Sequence, residues 1–150
     1  MKVISEWKKV LEQDLEYIGD EIRDLLGEGK SCILLTGEVG AGKTTFIQHF
    51  MKKLNGGDEV LSPTYSVIHE QGEYAHGDFY RIEDAEEIVH LEMGLYAEGK
   101  RFFLIEWGMP FIKEIQLQIG EHFQFFEMKI EITNNDKVET SSRNIKLIKL

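Results

Sequence analysis

The chain of 150 residues has one cysteine, Cys32, so no internal disulfide can form. That fits a reducing compartment. Cys32 lies in the apolar run Cys32-Ile33-Leu34-Leu35 and reads as a small buried hydrophobe rather than a nucleophile. Arginine is scarce: Arg23, Arg81, Arg101 and Arg143 are all there is. The 17 Lys+Arg stand against 27 Asp+Glu, a formal net charge of -10. Proteins that grip a phosphate backbone by themselves carry a basic face, so a stand-alone nucleic-acid binder is excluded, and so is a partner of anionic membranes. Long hydrophobic runs are missing too. No window approaches the ~18 apolar residues of a membrane span. The first residues are charged throughout, without the apolar block of about 7–15 residues that marks a signal peptide. The five histidines show no metal-ligand spacing, and there is no repeat or low-complexity tract. What remains is a cytoplasmic globule, expected as one domain over residues 1–150.

The negative charge is uneven. Residues 69–100 hold two basic and nine acidic groups, net -7. That stretch reads either as a solvated surface or as a docking face for a basic partner, with some carboxylates placed near a metal.

Apolar periodicity predicts the elements. Trp7, Val10, Leu11, Leu15, Ile18, Ile22, Leu25 and Leu26 step by three or four, which predicts one long N-terminal helix capped by Ser5 and ended at Gly27 and Gly29. Residues 31–36 read as a buried strand and 43–54 as an amphipathic helix stopped by Asn55-Gly56-Gly57. Ser62–His69 and Tyr74–Tyr80 predict strands, Asp84 a helix cap, and Phe102–Ile105 a second buried strand. Phe125–Thr133 and Asn144–Leu150 predict a strand pair turning at Asn134-Asn135-Asp136. The expected fold is α/β, a three-layer fold like that of P-loop NTPases, with a mainly parallel central sheet and a C-terminal antiparallel strand pair.

One motif carries chemistry. Gly37-Glu38-Val39-Gly40-Ala41-Gly42-Lys43-Thr44 matches G-x-x-x-x-G-K-[ST], a phosphate-binding loop. Glycines allow the backbone to turn its N–H groups inward. The helix that follows aims its positive end at the same phosphates. Gly37 to Thr45 are therefore the nucleotide-binding residues, with Lys43 reaching the β- and γ-phosphates and Thr44 placed to ligate Mg²⁺. A strand before the motif and a helix after it agree with this reading.

Such a site needs a further carboxylate at the end of an apolar strand. Glu106 follows Phe102-Phe103-Leu104-Ile105, and Asp78 ends His76-Gly77-Asp78. Glu106 is the first candidate for that metal carboxylate and Asp78 the other; a carboxylate near Mg²⁺ can orient the attacking water or hold a metal-bound water. Trp107 is either a core wedge or a gate beside the nucleotide. Neither a DxxG after the second strand nor an N/T-K-x-D is present, which excludes a GTPase. Four scattered arginines give little material for a kinase lid. ATP hydrolysis is favoured, with a small-molecule kinase and a nucleotide-gated binding module as alternatives.

These residues carry a resemblance. Gly40-Ala41-Gly42-Lys43-Thr44-Thr45-Phe46, Ser62-Pro63-Thr64-Tyr65, His76-Gly77-Asp78-Phe79-Tyr80-Arg81, Glu92-Met93-Gly94 and Ile105-Glu106-Trp107 occur in that order. The set resembles the TsaE (YjeE) family of bacterial ATPases, required for making threonylcarbamoyladenosine in tRNA. The resemblance implies that Thr44 and Glu106 hold Mg²⁺, that Asp78 acts in the same site, and that Thr64 and Tyr65 belong to a nucleotide-sensing loop. It implies ATP as the substrate and TsaD and TsaB as partners that carry out the transfer, with tRNA met only through them. Arg81 is the chain's candidate arginine finger. Departures are Phe79, where the family often has Leu, and a C-terminus with few basic residues (Arg143, Lys146, Lys149).

Overall fold

The computed structural model describes residues 1–54, 67–133 and 142–150. Among them seven strands form one sheet: β1 (Lys2–Val10), β2 (Ser31–Thr36), β3 (Ile68–Gln71), β4 (Tyr74–Asp78), β5 (Phe102–Glu106), β6 (Gln124–Ile132) and β7 (Arg143–Lys149). Their order across the sheet is β1-β7-β6-β2-β5-β4-β3. The centre, β6-β2-β5-β4, is parallel. Antiparallel strands extend both sides: β7 and β1 beyond β6, and β3 beyond β4.

Among the described residues five α-helices cover the two faces: α1 (Leu15–Leu26), α2 (Lys43–Leu54), α3 (Ala85–His90), α4 (Met93–Ala97) and α5 (Ile112–Ile119). The side-chain alternation of strands decides which residues meet which layer. In β2, Ile33 and Leu35 point into the cluster beneath α1 and α2, with Ile22, Phe46, Phe50, Phe102 and Leu104. Cys32 and Leu34 point the other way, into the cluster beneath α3, α4 and α5, with Ile88, Met93, Phe103 and Ile115. This double burial explains why β2 and β5 are uninterrupted apolar runs. Cys32 is fully buried, and burial pushes its thiol pKa far up, consistent with an inert core residue. The fold is thus the expected three-layer α/β arrangement, parallel at its centre, with β6 and β7 as the antiparallel C-terminal pair.

The N-terminus departs from expectation. The long helix is replaced by β1, a 3-10 turn over Glu12–Asp14, and the shorter α1. Ser5 lies inside β1 rather than at a helix cap. The misleading signal was the three-residue step from Trp7 to Val10. The β1–β7 register shifts between these two residues, and Lys9 adopts a positive φ of 53°. The irregularity brings both side chains to the core face, where a regular strand would alternate them. Trp7 also donates its indole N–H to Glu21 of α1 at 2.8 Å, which ties strand and helix together.

Elsewhere the boundaries move by a few residues. β4 stops at Asp78, so Tyr80 lies in a turn beyond it. The described part of the Ser62–His69 prediction begins at β3, and Asn55-Gly56-Gly57 and Asn134-Asn135-Asp136 lie outside the described residues. Asp84 caps α3 as expected: its Oδ1 accepts the Glu86 N–H at 2.9 Å, and Glu87 Oε2 accepts the Asp84 N–H at 3.1 Å. Neither α4 nor α5 was signalled by the patterns above. Among the described residues no helix is long and apolar enough to cross a membrane.

Phe50 locks α2 to the sheet. It stacks on Phe46 with centroids 5.7 Å apart and meets Phe102 edge-on at 5.2 Å. Phe50→Ala is expected to cost roughly 3–5 kcal/mol of stability, read by urea unfolding, through the cavity left under α2.

Candidate functional site

The motif residues occupy the turn between β2 and α2, at the C-terminal edge of the parallel strands. That edge is where open α/β sheets hold ligands. Gly37 is required by contact: a Cβ there would lie 2.4 Å from the Ile130 carbonyl oxygen of β6. Gly40 and Gly42 are required by conformation, with φ of 84° and 106°. Beyond the loop, α2 begins at Lys43 and points its N-terminus at the turn it has just left.

Strand register brings the carboxylates to the same edge. Asp78 pairs with Glu106 across β4 and β5, and Glu106 pairs with Leu35 across β5 and β2. All three share the sheet face that carries α1 and α2. The Thr44 hydroxyl donates to Glu106 Oε1 at 2.7 Å. His76, two residues before Asp78 and so on the same face, lies 2.8 Å from Glu106 Oε2 through Nε2. A carboxylate only accepts, so the Nε2 proton is assigned from this contact. Burial would raise the Glu106 carboxyl, but donation from His76 and Thr44, with the charges of His76 and Lys43, holds it below the usual carboxylate value.

Lys43 is only 5% exposed. Its ammonium donates to the carbonyls of Gly37 at 2.7 Å and Glu38 at 3.0 Å. It also sits 4.3 Å from the centre of the Trp107 ring, a cation–π contact. Burial lowers its pKa below the usual lysine value, against the pull of Glu106 and Asp78. Trp107 reaches this place because its backbone turns sharply, with φ 61° in the left-handed region. Its ring is then buttressed by Tyr80, 5.1 Å away.

Lys43, Thr44, Asp78, Glu106, Trp107 and Tyr80 line one cavity of about 390 Å³ together with the loop. A second cavity of about 420 Å³ opens on the other side of Gly40 and Gly42, against Val10, Leu11, Gln13 and Arg143. Arg81 is exposed and is not among the residues lining the first cavity. Thr64 and Tyr65 lie outside the described residues. Three contributors were not singled out from sequence for the site: His76, Tyr80 and Arg143. For His76 the signal was available, since a residue two before Asp78 on a strand must share its face.

The fold is of the mixed α/β class, a seven-stranded sheet parallel at its centre with a glycine-rich loop between β2 and α2 at its edge. The crystal structure of Bacillus subtilis YdiB is similar over 99% of this chain and 88% of that one, with a TM-score of 0.63 and 21% identity, a likeness of fold. A family model described as threonylcarbamoyl adenosine biosynthesis protein TsaE matches residues 10–145. The chain belongs to the TsaE family. The tRNA threonylcarbamoyladenosine biosynthesis protein TsaE of Aquifex aeolicus is 32% identical over 113 residues, 71% of this chain and 79% of that protein. The protein of the same name from a Nostoc species is 39% identical over 100 residues, 58% of this chain. That match spans 61% of the Nostoc protein's length.

The low Glu106 carboxyl has a signed consequence. A depressed folded-state pKa contributes stability above the unfolded value of 4.5 and loses it as pH falls through the folded value. The stability gap between the wild type and Glu106→Gln, read by urea unfolding, is therefore expected to be widest at neutral pH. It should narrow as pH falls below 4.5 and through the lower folded value.

Proposed function

We propose that this chain is the ATP-hydrolysing component of tRNA threonylcarbamoyladenosine biosynthesis in the cytoplasm. In this reading it acts beside TsaD and TsaB and does not transfer the group itself. The observation that carries the reading is the convergence of Lys43, Thr44, Asp78 and Glu106 on one cavity at the N-terminus of α2. Family membership and the names of the relatives supply the pathway; the TsaD and TsaB partnership rests on the resemblance drawn from the motifs.

The triphosphate lies along Gly37–Thr45, held by backbone N–H groups and the end of α2. Lys43 exchanges the carbonyls of Gly37 and Glu38 for the β- and γ-phosphates and offsets charge as it develops on them. The nucleoside takes the second cavity, between the loop and Leu11. Thr44 Oγ1 and Glu106 Oε1, two hard oxygens already 2.7 Å apart, fit Mg²⁺. Among the described residues no group of three or more His, Cys, Asp or Glu could hold a metal alone, so phosphate oxygens must complete that shell, as is usual for this ion. Bound there, Mg²⁺ would supply charge neutralisation at the β- and γ-phosphates. Asp78, on the neighbouring strand, orients the attacking water and accepts its proton. Among the described residues no arginine lines this cavity, so turnover by the isolated chain is slow and a partner completes the site.

Lys43→Ala should lower ATP turnover by about 10²-fold or more; full activity in that variant would overturn the assignment. Asp78→Asn should cut single-turnover hydrolysis far more than ATP affinity, and an unchanged single-turnover rate would remove its role. Depletion of the protein should lower threonylcarbamoyladenosine in tRNA nucleosides, and normal levels would overturn the pathway.

A further inference from the structure

Arg143 belongs to none of the motifs, yet it reaches the phosphate loop from the far end of the chain. It opens β7, where it pairs with Val10 of β1 on one side and Ile132 of β6 on the other. Its backbone is therefore fixed within the sheet. From there its Nε donates to the Ala41 carbonyl at 2.7 Å and its Nη2 to the Gly40 carbonyl at 3.2 Å. Nη1 donates to the Ser142 carbonyl at 3.2 Å. One planar guanidinium thus holds two consecutive carbonyls of the loop from outside.

The geometry of the peptide bond gives this contact a consequence. In a trans peptide the C=O and N–H point in opposite directions. Holding the Ala41 carbonyl outward turns the Gly42 N–H toward the loop interior. The next N–H back, that of Ala41, is taken up within the loop by the Glu38 carbonyl at 3.0 Å. Gly40 and Gly42 both have positive φ, and a Cβ at either would meet nothing within 4 Å, so no side-chain packing holds the loop at these two positions. Glycine has more backbone conformations to lose on binding than any other residue. A fork that removes those alternatives beforehand raises affinity by preorganisation.

We propose that Arg143 is a positioning residue for polyphosphate binding, holding the Gly40 and Ala41 carbonyls outward so that the loop presents its N–H groups to the ligand. The inference rests on the ATP reading of the site. It differs from a role in contacting the nucleoside, although Arg143 also borders the second cavity, and the two roles separate experimentally. A positioned loop serves any polyphosphate, whereas a nucleoside contact serves only a nucleotide.

The test is calorimetric titration of the wild type, Arg143→Lys and Arg143→Gln with Mg·ATP and with Mg·tripolyphosphate, alongside thermal unfolding. Lysine keeps the charge and the aliphatic stem but cannot bridge two carbonyls with fixed geometry. Both variants are expected to lose about ten-fold or more in affinity for both ligands alike, as the loss of a charge-assisted bond predicts. Affinity unchanged for both ligands, with or without a fall in unfolding temperature, would overturn the proposal. So would a loss confined to ATP, which would make Arg143 a nucleoside contact. If Arg143→Gln fails to fold, Arg143→Lys decides. Wild-type protein that binds neither ligand would overturn the ATP reading itself, and this inference with it.

Discussion

Glu106 is a carboxylate sunk into the end of a sheet, 4% exposed, where a lone charge would be costly. It stays ionised because each of its oxygens has a donor, Thr44 from α2 and His76 from β4. The arrangement needs three elements in register: β5 to carry Glu106, β4 beside it to carry His76, and the loop after β2 to start α2 at the right height. The apolar clusters on both faces of the sheet maintain that register. The polar edge is thus a product of the core beneath it, since apolar burial is the dominant favourable term in folding.

Under the proposed function, the same edge explains how an acidic protein holds a triphosphate. The cradle consists of peptide dipoles, one helix terminus and one lysine, none of which registers in a net charge of -10. Several of the acidic groups in 69–100 have local work: Asp78 lines the cavity, while Asp84 and Glu87 close the end of α3 on their own backbone. Those two carboxylates are helix caps first, and their charge is not free to be read as a surface alone. Glu83 and Glu86 remain exposed carboxylates on the surface.

Much of this was legible in the sequence, for identifiable reasons. Strands β2 and β5 are buried on both faces, so they appear as plain apolar runs, and a glycine-rich turn followed by Lys-Thr has few other uses. Glu106 was legible because it ends such a run. The N-terminal strand was not, since a bulge at Lys9 gave Trp7 and Val10 the spacing of a helix. The His76–Glu106 pair and the Arg143 fork were hidden for a different reason. The first joins two strands, 30 positions apart, and the second joins a strand to the loop after β2, 102–103 positions apart, and only sheet order brings them together.

Sheet order also sets a timetable. β1 is the first strand in the chain, yet its neighbour is β7, the last. While a ribosome is still making the chain, β1 has no edge to join, and the loop after β2 lacks both the Ile130 carbonyl behind Gly37 and the guanidinium outside Gly40. A shortened product that stops before residue 143 would keep every residue of the motif and still lack the guanidinium on the Gly40 and Ala41 carbonyls. Contacts this distant in sequence are slow to close. Completing β7 and completing the frame of the loop after β2 are therefore one event.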